Sequence, residues 1–288
     1  MANVGILTDT TASIPAELVE QLHIELVPYY IHRGMETLLD MVDVRPEPFA
    51  EYLRLTDTLP KTANPSPGNY LAVLMRLVER TKEIVALTMT SKGSGAYQAC
   101  RAAVEMLRER MPEVKVEVVD TLKVAMAQGW AVIEAARAAL AGRALKEVVA
   151  RATEVARKAT MIQTADTLRY LLMGGRIGRA QHLIGSLLNI KPLIGMEEGV
   201  IVALGVARTR AKAYTRMAEL ACQQVDEGAR IQIAYTHVAA LEQLHSLREQ
   251  FERRFDCVES LTCALSPALA VHSGPGTVGV NFVPADSD

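Results

Sequence analysis

Hydroxyls gather in TSKGSGAYQ (90–98), where Thr90, Ser91 and Ser94 are interleaved with Gly93 and Gly95. The run follows the apolar EIVALTM (83–89) and leads into the helix-like ACRAAVEMLRER, which makes it a loop between a strand and a helix. Its glycines would let a ligand approach backbone N–H groups at a helix start, where the dipole favours an anion. That anion could be phosphate or carboxylate, and a plain strand-to-helix turn would use the same residues. The pattern is not GxxxxGK[ST], since no lysine follows the second glycine, so a Walker-type nucleotide site is unsupported.

A second loop, PKTANPSPGNY (60–70), is stiffened by three prolines, and Asn64 precedes one of them, which forces an extended chain. Thr62 could present its hydroxyl from this loop to a shared ligand; the simpler reading is that Ser66-Pro67 only caps the next helix. His272, in HSGPGTVGV (272–280), is the best placed of six histidines, because small residues around it would let a ligand approach. His23, His32, His182, His237 and His245 lack such a setting, and no HExxH pattern points to a metal site. In GGRIGRAQHLIGSLLNIKPLIG (174–195), a glycine pair breaks a helix, and Arg176 and Arg179 follow within an apolar segment. Arg176 fits phosphoryl transfer, a partner interface, or a cation at a helix end.

The elements that must position these groups alternate in type. NVGIL (3–7), EIVALTM (83–89) and VKVEVV (114–119) read as buried strands separated by helical patterns. This predicts a mostly parallel sheet whose ligands bind at loops leaving the strands' carboxyl ends: TDTTAS (8–13), TSKGSG (90–95) and DTLKV (120–124). Ser13, ahead of Ile14-Pro15, is expected to cap the first helix. Two helices should fill 123–159 with a turn at Ala141-Gly142-Arg143.

Beyond them, TMIQTAD (160–166) reads as a strand, and Glu198-Gly199 suits the turn of a hairpin within 191–207. Helices are expected over 208–224 and 241–255, with strands at 230–236, 258–265 and 277–283. The expectation is an α/β chain of two domains, 1–158 and 159–288, each a sheet with packed helices, facing each other across a cleft.

Composition narrows the function classes. The 288 residues are 50% hydrophobic and 22% charged with a formal net charge of −2, which argues against disorder and against a nucleic-acid-scale basic surface. Cys100, Cys222, Cys257 and Cys263 form no CxxC pair, nothing at MANVGILTDT reads as a secretory signal, and a cytoplasmic location is expected. No apolar run reaches the roughly 18 residues of a membrane span, so contact with lipid would be through a pocket or a transient membrane-surface encounter.

Taken in order, TDTTASIP, KTANPSPGNY, TSKGSGAYQ, VVDTLKVAMAQG, ADTLRYLLMGGRIGRAQHLIGSLLNIKPLI and HSGPGTVGV resemble the DegV family of fatty-acid-binding proteins over nearly the whole chain. The family includes the FakB subunits of bacterial fatty acid kinase. The resemblance implies a two-domain α/β fold that encloses an acyl chain between or within the domains. It implies that Thr62, Ser94 and His272 hold the carboxylate, matching the threonine of the TxxPSP loop, the serine of the SGTY loop and the histidine before the GPG turn. Arg176 matches the arginine of the GGRI stretch, associated with phosphoryl transfer or kinase engagement. The implied partner is a dihydroxyacetone-kinase-like catalytic subunit that supplies ATP and magnesium, so this chain would be a carrier without a cofactor of its own. Two positions depart from the family pattern: Ala96 stands for the threonine of SGTY, and TDT replaces SDS at 8–10.

Neutral hydroxyls and an imidazole suit a carboxylate that must be oriented yet stay nucleophilic, whereas a buried lysine would hold it in an ion pair costly to break. Two other readings compete. One is a fatty-acid sensor without a kinase partner; the other is a serine hydrolase using Ser94, His272 and Asp9 or Asp120. Ser94 lacks the GxSxG elbow, because Lys92 and Ala96 occupy the flanking glycine positions. Asp9 and Asp120 read better as turn residues that tie loops down.

Overall fold

The computed structural model describes residues 3–56, 58–183 and 190–285. Its first elements are β1 (Val4–Asp9), α1 (Ala16–Gln21), β2 (Ile24–Val27), β3 (Tyr30–Arg33), β4 (Glu36–Leu39), α2 (Pro46–Leu55) and β5 (Lys61–Ala63). There follow α3 (Pro67–Val78), β6 (Glu83–Thr88), α4 (Ala96–Arg110), β7 (Lys115–Asp120), α5 (Ala125–Leu140) and α6 (Leu145–Lys158). After these come β8 (Thr160–Thr164), α7 (Arg169–Met173), β9 (Lys191–Glu197), β10 (Val200–Ala207), α8 (Arg210–Ala221) and β11 (Arg230–His237). The last are α9 (Leu244–Glu252), β12 (Asp256–Ala264), α10 (Pro267–Ser273) and β13 (Val278–Pro284).

The fold is α/β. An all-parallel sheet runs β2-β1-β6-β7, as the aliphatic runs predict. Alternate residues of β6 enter different clusters, Ile84 and Ala86 on one face and Val85 and Leu87 on the other, so both faces are covered. A mixed sheet runs β10-β9-β8-β13-β11-β12. Between the two sheets lies α5, buried at every residue from Ala125 to Ala136; Gln128 and Glu134 are the polar side chains in this otherwise apolar run. Trp130 on α5 donates from Nε1 to the Asn281 carbonyl of β13 at 2.9 Å, which ties the helix to the second sheet.

Local chemistry explains the turns. Glu198 and Gly199 both have positive φ, 47° and 80°, and close the β9–β10 hairpin tightly. Ser66 and Asn69 form a reciprocal capping box at the start of α3, so the proline-rich loop does cap a helix.

Ser13 departs from expectation. Its backbone is left-handed at φ 53°, ending a short 3-10 turn over Thr10–Ala12, while Pro15 precedes α1 and no side chain caps that helix. The Ser13 hydroxyl instead accepts from Ser266 N at 3.0 Å, linking the first sheet's loop to the start of α10. A third, antiparallel sheet, β4-β3-β5, has no counterpart in the sequence reading. The IGSLLN part (184–189) of the arginine-bearing segment lies outside the described residues.

Candidate ligand-binding site

The carboxyl-end loops of β1, β6 and β7 open on a cavity of about 430 Å³, within the usual size range of small-molecule sites. Thr11, Ser94 and Val124 reach it from these loops, Thr62 from β5, His272 from α10, and Met161 and Ile194 from the second sheet. Aliphatic side chains form much of the wall, with Leu171, Ile201, Leu265 and Leu269 among them. Three of the twelve methionines, Met89, Met161 and Met196, line it too. The polar side chains collect where β5, α10 and the 90–95 loop converge.

Thr62 lies opposite Ile31 in the β3–β5 pairing, and its Oγ1 is 2.8 Å from His272 Nε2. The imidazole is packed tightly on its other side: a Cβ placed on Gly174 would come 2.2 Å from Nδ1, so only glycine fits there. Nδ1 is buried and has no hydrogen-bond partner among the described residues. Burial, with the Arg176 charge adding to it, pushes the His272 pKa down to about 4, so the ring is neutral at pH 7.

Ser94 Oγ sits 2.6 Å from the Tyr29 hydroxyl and accepts from Ala96 N at 3.2 Å. Burial, reinforced by the Asp9 charge, raises the Tyr29 phenol well above its usual range. Sequence reasoning missed Tyr29; the only signal was a tyrosine pair after Pro28, on a segment too short to assign a facing side. Ala96 is buried in the core cluster beneath the loop, so its methyl packs while its N–H serves Ser94.

Carboxylates hold this frame from behind. Asp9, fully buried, accepts from Thr11 N at 3.1 Å, Met89 N at 3.0 Å and Gln128 Nε2 at 3.3 Å, and from the Thr11 hydroxyl. Burial raises its pKa against these hydrogen bonds. Asp40 accepts from Thr10 Oγ1 at 2.5 Å and from Ala268 N at 3.0 Å, anchoring α10, which carries His272; burial pushes its pKa up to about 6. Asp120 accepts from Ser91 N and Leu122 N, each at 3.1 Å. Asp9 and Asp120 are therefore loop ties.

Thr62, Ser94 and His272 thus meet at one cavity, but they are not wired for acyl transfer. His272 bonds Thr62 rather than Ser94, and among the described residues no carboxylate takes up Nδ1. The Ser–His–Asp arrangement required of a hydrolase is absent from this geometry. Arg176 lines the mouth, exposed, and donates from Nη1 to the Gly174 carbonyl at 2.7 Å. Arg179 instead lies 3.7 Å from Glu198 at the hairpin tip. That hairpin closes on the 90–95 loop: Thr90 Oγ1 donates to the Gly199 carbonyl at 2.9 Å.

Fold and cavity together define an α/β protein with a cavity of mixed aliphatic and polar lining in which Thr62, Ser94 and a neutral His272 are brought to one space. Residues 3–285 match the model of the DegV family, a family described as uncharacterised protein, and the chain belongs to that family. A DegV domain-containing protein of Streptomyces coelicolor is 34% identical over 280 residues, covering 96% of this chain and 97% of the relative. One of Clostridium acetobutylicum is 31% identical over 279 residues, covering 97% of each. A solved structure of a DegV family protein from Thermus thermophilus, described by its fatty acid binding, superposes with a TM-score of 0.92 at 27% identity, covering 99% of this chain and all of that one. DegV of Bacillus subtilis, described as a fatty acid binding protein, gives a TM-score of 0.85 at 26% identity, covering 99% of this chain and 100% of the other. Among the described residues no helix is long and apolar enough to cross a membrane.

Proposed function

We propose that this chain binds a long-chain fatty acid in the cavity and presents its carboxylate to a separate kinase subunit for phosphorylation to an acyl phosphate. The observation that carries the reading is the convergence of two hydroxyls and a neutral imidazole in a cavity of mixed aliphatic and polar lining. The described fatty acid binding of the Thermus and Bacillus relatives supports the ligand class. Each buried methylene contributes about 0.8 kcal/mol, so the tail supplies the affinity and the head needs only orientation.

The hydrogen bonds suit that task. With the proton on Nε2, His272 donates to Thr62 Oγ1, and the threonine turns its own proton to the ligand. With Tyr29 as the donor in its hydrogen bond to Ser94 Oγ, which also accepts from Ala96 N, the serine proton is likewise available. Both donors are neutral, and the carboxylate keeps its nucleophilic charge. In the same reading 1–158 and 159–288 are the two domains, and Arg176 at the mouth meets the transferred phosphoryl group or the kinase.

The test is a coupled assay with a purified dihydroxyacetone-kinase-like catalytic subunit, ATP and magnesium. Palmitate-loaded protein should yield acyl phosphate. Bound palmitate that the kinase leaves unmodified, while a known carrier is phosphorylated, would replace the carrier reading with that of a sensor.

A further inference from the structure

A second cavity, of about 460 Å³, lies against β8, β9 and β10, strands that also border the first. Met161 and Met196 line both cavities, while Val124 faces the first and its neighbour Lys123 the second. Ile162, Leu204 and Leu220 lie with the methionines on one part of the lining, Thr160, Gln223 and Gln224 are polar, and Lys123, Arg157, Lys158 and Glu197 are charged. Lys158 is paired with Glu154 at 2.6 Å. Lys123 and Arg157 make no ion pair or side-chain hydrogen bond among the described residues, and the exposed Glu197 bonds to neither. Burial alone holds the Lys123 ammonium below its usual range, with no acid to offset it. A half-buried, unpaired cation is costly unless an anion joins it.

We propose that this second cavity binds an amphipathic monoanion, its carboxylate held by Lys123 and Arg157 and its apolar body lying on Met161 and Met196. The head chemistry differs from that of the first cavity, where the exposed Lys92 and Arg176 lie among the lining residues but Thr62, Ser94 and a neutral His272 are the proposed head contacts. Because both occupants would lie on the same two flexible thioethers, the methyl signals of Met161 and Met196 should respond to either one.

The test is titration of octanoate into the full chain, followed by calorimetry and by the methyl signals of ¹³C-labelled methionines. Two binding events are expected. One is weakened roughly tenfold or more by Lys123→Met or Arg157→Gln and is insensitive to Thr62→Val. Lys123→Arg should restore it, which separates charge recognition from a fold defect, and 1-octanol, which lacks the charge, should not populate it. Failure of the fatty-acid reading would remove only the event sensitive to Thr62→Val. A titration in which no event responds to Lys123→Met and Arg157→Gln, or in which octanol binds as well as octanoate, would overturn the second site.

Discussion

The wall of the cavity and the layer behind it use opposite chemistry. Facing the ligand space are Thr62, Ser94, Tyr29 and a neutral His272. One shell back, Asp9 and Asp40 are fully buried and gather backbone and hydroxyl donors from different parts of the chain. The buried carboxylates thus hold loops, where several donors can satisfy them, while the cavity's own cations, Lys92 and Arg176, are exposed and the groups proposed to meet the ligand head are neutral. The two layers are linked: Tyr29 N donates to Thr10 Oγ1, and Thr10 Oγ1 donates to Asp40.

The largest break in this contrast is expected at the back layer. Asp9→Ala strands the buried N–H groups of Thr11 and Met89 and should cost about 4 kcal/mol in urea unfolding. A loss below about 1 kcal/mol would mean that the carboxylate does not tie the loops.

Next in size is a pH effect at the wall. The His272 pKa falls to about 4 in the folded state, below the usual 6.5, so between those values the unfolded chain binds the extra proton. Folded-state stability therefore declines as pH drops from 6.5 to 4, by about 3 kcal/mol relative to His272→Gln. Parallel denaturation profiles of the two proteins check this, and identical slopes would refute a neutral, buried ring.

Smaller still, Thr62→Val and Ser94→Ala should each weaken palmitate binding about tenfold, the worth of one restricted donor, with melting temperature nearly unchanged. Arg176→Ala, exposed at the mouth, should change palmitate affinity less than about twofold while lowering acyl-phosphate formation roughly tenfold. Equal loss of both would instead give Arg176 a structural role.

What was legible in the sequence follows from the same physics. The strands β1 and β6 announce themselves because both faces are buried and continuous aliphatic runs are the result, whereas β7, expected to be buried, is an edge strand that alternates and exposes Lys115 and Glu117. The polar loops at their carboxyl ends follow from the parallel topology, and so does the placement of Ser94. The small β4-β3-β5 sheet was not legible: its strands have three or four residues and owe their pairing to tertiary position rather than to pattern.

Tyr29 was hidden for the same reason, since it immediately precedes β3. Ser13 looked like a helix cap because hydroxyl-before-proline is a common start signal, but the preceding 3-10 turn rotates it toward Ser266. That Thr62 and His272, 210 residues apart, share a site was implied only by the family likeness, and their hydrogen bond to each other was not foreseen.

The carboxylate position can be measured directly with palmitate labelled with ¹³C at the carboxyl carbon. One bound resonance is expected, shifted from the free acid, and moved again by Thr62→Val, Ser94→Ala and His272→Gln but not by Lys123→Met. A bound resonance indifferent to the first three substitutions, or the absence of any bound resonance, would contradict a carboxylate held at Thr62, Ser94 and His272.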